Sequence, residues 1–523
     1  MNNKETGSYY TPDSLIQKMV KYVHDRIVPQ KILEPSAGDG RFVPYLHFFD
    51  CPITLIEIEE NKANELQKQH SMECTVLCKD FISYALENDE DFDLIIGNPP
   101  YISKKILTKE QRDISLDMVN YFHLPESLFQ NIWISFILAS LKVLSPNGTL
   151  FFVLPFEFLQ VQYAEGLREF LETKFNTIEI TTFEDRVFPE IEQDVCLVYL
   201  SNEPEAKPYI QYTTVVSDSN FEPVFQSVIM RNKPLKKWSN CILDDNETEK
   251  LNELAMLFPK IDSFGDISPG IVTGANSFFI VTKEKKESFE MDGDAFIPIV
   301  SKSSGLNQML ILNCTEFEAL TKKDLPTYLL ILTGIAEETF SSNLLLHLHE
   351  GKELSIPRRY KCSKRKRWYD VPIVKNGQVC FFKRFSVMPR LLVNDVNVHT
   401  TDIAYNIRFS DGFDPPSFAF CFYNSLTLAM CEYNGRFYGG GVGELVPSEF
   451  KQLRIPYKKI EESQIAQLDE MFRENRDVNE IVDFVDSIVF DVSADNLILL
   501  KNIRSRYIRR RLRLYKREEQ LNG

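Results

Sequence analysis

The chain has 523 residues, of which 44% are hydrophobic and 12% aromatic, and a formal net charge of −16. That composition supports two or three globular domains and excludes a disordered protein, while the acidic balance excludes one that coats nucleic acid indiscriminately but not one with a local basic cleft. The longest apolar run, Trp133 to Leu141, is too short to span a bilayer, the N-terminus has no signal core, and the ten cysteines lack metal-site or disulfide spacing, so the expectation is a cytoplasmic, metal-free protein with reduced thiols.

Tyr10-Thr11-Pro12 leads into Asp13 to Val23, whose apolar residues recur at helical spacing, with Thr11 the expected N-cap and Pro12 in the first turn. Lys31 to Phe42 reads as a short strand, the small-residue loop Glu34-Pro35-Ser36-Ala37-Gly38-Asp39-Gly40, and a helix start. Glycines there let backbone amides approach a ligand at the mouth of a parallel sheet. Ile53 to Ile58 is a second strand ending on Glu57 and Ile58, Glu60 to His70 a polar helix, and Val76 to Phe81 a third strand running into Asp80-Phe81. A carboxylate placed like Glu57 can accept both hydroxyls of a ribose, although taken alone it reads as a solvated charge.

The fourth strand, from Phe92, ends abruptly in Asn98-Pro99-Pro100-Tyr101. Neither proline has an N–H for a sheet ladder, so the turn is rigid. It presents an amide, a carbonyl oxygen and an aromatic ring, which are the two acceptors and the flat partner that an exocyclic amino group on a planar ring requires. A tight turn around a buried tyrosine is the other reading.

Strand and helix alternate regularly up to this point, which predicts a doubly wound, mostly parallel α/β sheet. Ile102 to Leu128 is expected to be a mobile loop beside the substrate, and Asn131 to Leu144 an amphipathic helix. Pro146-Asn147-Gly148 is read as a turn into a buried strand, Thr149 to Pro155, and strand signals at Thr177 to Phe183 and Asp194 to Leu200 flank Arg186-Val187-Phe188-Pro189-Glu190. A polar, proline-bearing stretch from Ser201 to Pro208 precedes one more strand and an acidic helix near Asp244 to Phe258.

The remaining half is predicted to be mixed α+β. Its marks are Pro269 to Val281, the run Arg358-Arg359-Tyr360-Lys361-Cys362-Ser363-Lys364-Arg365-Lys366-Arg367-Trp368, and Arg436 before Gly439-Gly440-Gly441. Lys and Arg interleaved with Tyr and Trp suit a phosphate-contacting surface, and equally a solvated face. The tail, Lys501 to Tyr515, is a basic helix that either docks on a domain or stands exposed.

Taken together, these strings resemble the motif series of the amino-methyltransferases that use S-adenosylmethionine, closely over residues 6 to 200 and loosely over 260 to 460. Their order, cofactor loop before catalytic turn before recognition region, is similar to the gamma-class DNA adenine-N6 methyltransferases of the Taq-like and Eco57I-like kind. The resemblance implies a class I, Rossmann-like catalytic domain over residues 1–240 and a DNA target-recognition domain over 241–523. It implies cofactor contacts from Tyr10, Thr11, Pro12, Glu34, Pro35, Ser36, Ala37, Gly38, Gly40, Glu57, Ile58, Asp80, Phe81 and Asn98, with Asp80 and Phe81 on the cofactor adenine. Catalytic roles fall on Asn98, Pro99, Pro100 and Tyr101, with Phe188 as a second stacking ring or a core phenylalanine. DNA contacts fall on Arg358, Arg359, Lys364, Arg365, Lys366, Arg367, Trp368 and Arg436.

The implied activity is site-specific methylation of a flipped adenine in double-stranded DNA by a monomer of a restriction-modification or related system, with a separately encoded restriction endonuclease as a compatible partner. Methylation of RNA adenine or of a protein glutamine uses the same chemistry. The long second half argues against the glutamine enzymes, and the intact motifs argue against a non-catalytic recognition subunit.

Overall fold

Short runs of buried aliphatic residues form a nine-stranded sheet: Ile32–Glu34 (β1), Ile53–Glu57 (β2), Cys74–Cys78 (β3), Phe92–Gly97 (β4), Leu144–Pro155 (β5), Thr177–Phe183 (β6), Val195–Ser201 (β7), Tyr209–Val215 (β8) and Pro223–Met230 (β9). The computed structural model describes residues 10–188, 194–204, 206–231, 233–303, 306, 308–323 and 325–514. Readings that fall on residues before Tyr10, on Pro189 and Glu190, on Glu205 and on Tyr515 lie outside the described residues. The strand order is β3-β2-β1-β4-β5-β7-β6-β8-β9. From β3 to β5 all neighbours are parallel, β7 inserts antiparallel between β5 and β6, and β8 and β9 extend the far edge. This is the α/β, mostly parallel architecture that the alternation of elements predicts.

Helices cover both faces, as parallel strands require. Asp13–His24 buries Leu15, Ile16, Met19, Val20 and Val23 on one stripe, each worth about 1.5–3 kcal/mol of burial, while Asp13 in its first turn and Lys21 and His24 in its last complement the helix dipole. These side chains join a core of Ile32, Leu55, Leu94, Ile96, Phe151, Val153 and Leu197.

Three expectations for this region are corrected. Ile102 to Leu128 is not a loop but carries the helix Lys109–Tyr121, whose start is fixed by a capping box: the Thr108 hydroxyl accepts from the Gln111 N–H at 3.2 Å, and the Gln111 side chain accepts from the Thr108 N–H at 3.0 Å. The helix Ile132–Lys142 is not amphipathic, because every residue from Ile132 to Ser140 is buried beneath Phe81–Glu87 and Lys109–Tyr121. Pro146-Asn147-Gly148 does not turn the chain before the strand; β5 begins at Leu144, and these residues are absorbed as an irregularity where Phe92 pairs with Leu144 and Leu94 with Thr149.

By packing the chain forms two units, the first containing the described parts of Met1–Thr248, Tyr438–Gly441 and Arg509–Gly523, and the second Glu249–Phe437 and Val442–Ile508. Among the described residues, the second unit is mixed α+β. A five-stranded sheet runs in the order Gly265–Pro269, Ala404–Phe409, Val379–Phe382, Arg390–Asn394, Ile311–Leu312. A smaller sheet contains Ile280–Val281, Tyr328–Leu330, Phe296–Val300 and His399–Thr400, and the buried helices Pro415–Phe422 and Ser425–Asn434 pack beside Val478–Val489. No helix of the described residues is long and apolar enough to cross a membrane.

Thr108→Ala removes one half of the capping box. It is expected to destabilise the first unit by about 1 kcal/mol and to speed amide exchange in the first turn of Lys109–Tyr121, as read by denaturant titration and hydrogen exchange.

Candidate functional site

The sheet order reverses between β1 and β4, and there the connections leaving the two strands diverge and open a cleft at their carboxyl ends. β1 delivers Glu34, and the following loop folds back on β2: the Ala37 N–H donates to the Ile56 carbonyl at 2.9 Å, and the Gly38 N–H to Glu57 Oε2 at 2.8 Å. Glu57 Oε1 accepts from the Glu59 N–H at 2.8 Å, so one carboxylate stitches the loop to the end of β2. Gly38 and Gly40 have φ of +59° and +80°, which a side chain disfavours. At Gly40 a Cβ would also stand 2.6 Å from Leu66 Cδ2 on the helix Glu60–His70.

Two carboxyls meet in this wall. Glu34 is 1% exposed, and its Oε2 has no hydrogen-bond partner among the described residues. Burial first, and then the charges of Asp39 and Glu57, push its carboxyl well above the ordinary range. Glu57 is also raised by burial, partly offset by the two backbone N–H groups and by Lys62. Of these two carboxyls, Glu34 is the one that burial pushes further toward its neutral form.

From β4 comes the Asn98-Pro99-Pro100-Tyr101 turn. Asn98 Nδ2 donates to Thr11 Oγ1 at 3.2 Å, and Ser36 Oγ donates to the Asn98 carbonyl at 3.2 Å, which ties the turn to both the N-terminal segment and the glycine loop. The Tyr101 hydroxyl donates to the Val153 carbonyl of β5 at 3.0 Å, and burial raises its pKa well above the ordinary value, so the ring is held as a neutral phenol. Thr11 is not the N-cap expected of it. Pro12 caps Asp13–His24 with its carbonyl, and the 4%-exposed Thr11 hydroxyl serves Asn98 instead.

The cleft is lined by Tyr10, Thr11, Glu34, Pro35, Ser36, Ala37, Gly38, Glu57, Ile58, Asp80, Phe81, Asn98 and Pro100 from the sequence reading. Pro12, Gly40, Pro99, Tyr101 and Phe188 are not on its wall. Asp80 uses Oδ1 to cap Phe81–Glu87 through the Ser83 N–H at 2.8 Å. Phe188 is 8% exposed within the same apolar cluster against which Tyr101 packs. Sequence reasoning missed Arg41, Lys62, Ile102, Gln111, Ile132 and Phe136, which also line the cleft. Thr108-x-x-Gln111 was a readable helix signal; Phe136, 5.3 Å from Phe81 between ring centroids, had none beyond its apolar neighbours.

In the second unit the basic run divides in two. Arg358, Arg359, Lys364 and Lys366 are largely open to solvent. Arg365 instead donates to the Val272 and Thr273 carbonyls at 3.0 and 2.7 Å, and Arg367 binds Asp370 at 2.9 Å and the Leu332 and Ile335 carbonyls at 2.6 and 3.0 Å. Trp368 packs on Phe278 and Phe279, and Arg436 pairs with Glu449 at 2.6 Å, both side chains 11% exposed. Arg365, Arg367, Trp368 and Arg436 are thus engaged in holding this unit together.

Comparison with known proteins adds to this geometry. Residues 44–188 match the Eco57I restriction-modification methylase family, and residues 235–490 match the C-terminal domain family of type II methyltransferase M.Eco57I. Type II methyltransferase M.AccI of Acinetobacter calcoaceticus is 20% identical over 94% of both chains. M.XamI of Xanthomonas campestris pv. amaranthicola is 22% identical over 86% of this chain and 85% of its own. The solved type IIL restriction-modification enzyme MmeI, in complex with DNA, shares the fold with a TM-score of 0.60 at 12% identity, over 95% of this chain and 75% of its own.

Glu34→Gln tests the buried carboxyl. Because the folded-state pKa of Glu34 is raised, its protonated form is favoured on folding, and wild-type stability falls as pH rises from the ordinary carboxylate value through the raised one. The variant lacks that loss, so the difference between thermal midpoints of wild type and Glu34→Gln, measured without ligand, should shift in favour of the variant as pH rises.

Proposed function

We infer that this chain, which belongs with the Eco57I-family type II DNA methyltransferases of restriction-modification systems, transfers a methyl group from S-adenosylmethionine to the N6 amino group of an adenine flipped out of double-stranded DNA. The observation that carries this reading is the Asn98 turn bonded directly to the cleft loop through Ser36 and to Thr11.

The cleft suits S-adenosylmethionine by its own chemistry. Gly38 leaves room between loop and ligand, with the Tyr10 ring 3.6 Å from where a Cβ would stand. Glu57 offers carboxyl lone pairs for ribose hydroxyls, Phe81 and Phe136 form an apolar face for a purine, and the buried Glu34 Oε2, without a partner among the described residues, is left to pair with a polar head. When bound, the cofactor supplies an electrophilic methyl on a sulfonium.

The chain's own residues overcome two obstacles. Adenine N6 is inaccessible inside a duplex, and its lone pair is delocalised into the ring. Flipping costs a few kcal/mol, which stacking on Tyr101, and on Phe188 from the cluster against which Tyr101 packs, offsets. The Asn98 side-chain oxygen and the Pro99 carbonyl accept the two N6 hydrogens and draw the nitrogen toward tetrahedral geometry, which localises its lone pair for attack. With S-adenosylmethionine bound, Asn98 and the Pro99 carbonyl would hold N6 toward the sulfonium methyl, and the methylated nitrogen would give up its proton to water without a side chain acting as strong base. Arg358, Arg359, Lys364 and Lys366 supply phosphate contacts from the second unit.

Two variants separate the halves of the site. Asn98→Ala is expected to lower turnover on duplex DNA by about 10²–10³ while binding S-adenosylmethionine within about tenfold of wild type. Glu57→Ala is expected to weaken cofactor binding by about 1.5–3 kcal/mol. Calorimetric titration beside a radiolabelled methyl-transfer assay reads both, and analysis of the methylated nucleoside distinguishes N6-methyladenine in DNA from an RNA or glutamine product. Asn98→Ala with turnover above about a tenth of wild type sinks the mechanism.

Neutralising Arg358, Arg359, Lys364 and Lys366 together should flatten the dependence of log K on log salt by about 0.9 for each phosphate that is no longer neutralised, with sequence preference unchanged. Arg367→Ala, in contrast, should mainly lower thermal stability, because it strands Asp370 and two carbonyls. An unchanged slope in the four-fold variant would mean that this run is a solvated face.

A further inference from the structure

From Arg509 onward the chain belongs to the first unit and packs within it through arginines. Arg513 donates through Nη1 to the Glu184 carbonyl at 3.2 Å and through Nη2 to the Asp194 carboxylate. Glu184 immediately follows β6, four residues before Phe188, and Asp194 immediately precedes β7, so one guanidinium joins the end of β6 to the start of β7. Asp194 also reaches toward the catalytic strands: its carbonyl accepts from the Phe156 N–H at 2.8 Å, and Phe156 directly follows β5, whose Val153 carbonyl holds the Tyr101 hydroxyl. Arg510 lies over the Phe156 ring at 4.0 Å and the Tyr212 ring at 5.4 Å.

The backbone at this point is unusual. Arg513 sits at φ +57°, and the Leu514 N–H donates to the Arg509 carbonyl at 2.9 Å, closing the helix with a motif that favours glycine. A long side chain is disfavoured in that conformation. The approach is also accommodated from the other side, where Gly441, at φ +75°, would place a Cβ 2.7 Å from the Arg511 carbonyl.

We propose that Arg513 is a positioning residue for methyl transfer: by bridging Glu184 and Asp194 it fixes the Phe188 side of the target-base site against the strand that orients Tyr101. The proposal rests on the reading of Tyr101 and Phe188 as base-stacking residues. Arg513 does not line the cleft and acts through Glu184 and Asp194.

Three full-length variants test it: Arg513→Ala, Arg513→Gly and Arg513→Lys. Glycine relieves the left-handed backbone yet removes the guanidinium, so it separates the helix end from the bridge. All three should bind S-adenosylmethionine within about twofold of wild type, while kcat/KM on duplex DNA falls by about tenfold or more in the Ala and Gly variants. Lysine offers a single ammonium to two acceptors and should recover less than about a third of wild-type kcat/KM. Amide exchange at residues 184–188 and 194–201, measured without DNA, should quicken in Arg513→Gly. Turnover of Arg513→Gly within about threefold of wild type, or unchanged exchange in those amides, overturns the proposal. A wild-type protein that methylates no duplex would instead overturn the base-site reading, and the exchange data would then decide the bridge by themselves.

Discussion

Every side chain of the candidate site depends on one pairing, the parallel contact of β1 with β4 through Ile32–Leu94 and Leu33–Ile95. Those residues are fully buried and apolar, so the register is set by the core, and a slip of one residue would turn each face inside out. With the register set, β1 ends on Glu34 beside the end of β4. The glycine loop and the Asn98 turn then leave the sheet at one point and close on each other through Ser36 and Asn98. The loop and the turn are neighbours because two short hydrophobic strands are.

Much of this could be read in the letters. Alternating apolar runs located β1 to β7, and Glu60 to His70 was legible as a helix because its charges and its buried Ala63 and Leu66 keep helical spacing. The Asn-Pro-Pro-Tyr turn was legible as the end of β4 because its prolines give no N–H to a sheet ladder. Where reading failed, long-range packing was responsible. Ile132 to Ser140 has apolar residues on every side, and only the helices lying over it explain why a whole circumference is buried. Thr11 looked like a cap because caps are local, whereas the Asn98 amide that claims its hydroxyl lies 87 residues away.

Charge was the least legible property. The basic letters of the segment 358–367 look alike in sequence, yet the structure commits Arg365 and Arg367 to carbonyls and a carboxylate and leaves Arg358, Arg359, Lys364 and Lys366 facing water. Arginine suits the buried role because its planar fork satisfies several acceptors at once, which a lysine ammonium does not. The carbonyl partners come from Val272, Thr273, Leu332 and Ile335, and no local pattern announces them. A basic run is thus a mixture of framework and surface until its acceptors are known.

The return of the chain end has a consequence for how the molecule is made. Arg513 joins groups 319 and 329 residues earlier in the sequence, so the first unit cannot reach its final packing while it is being synthesised. Strands β1 to β9 can pair as they leave the ribosome, but the aromatic faces of Phe156 and Tyr212 wait for Arg510. Contacts of such sequence separation form late and slowly. The first unit therefore contains side-chain bonds that only a chain already extended to residue 513 can make.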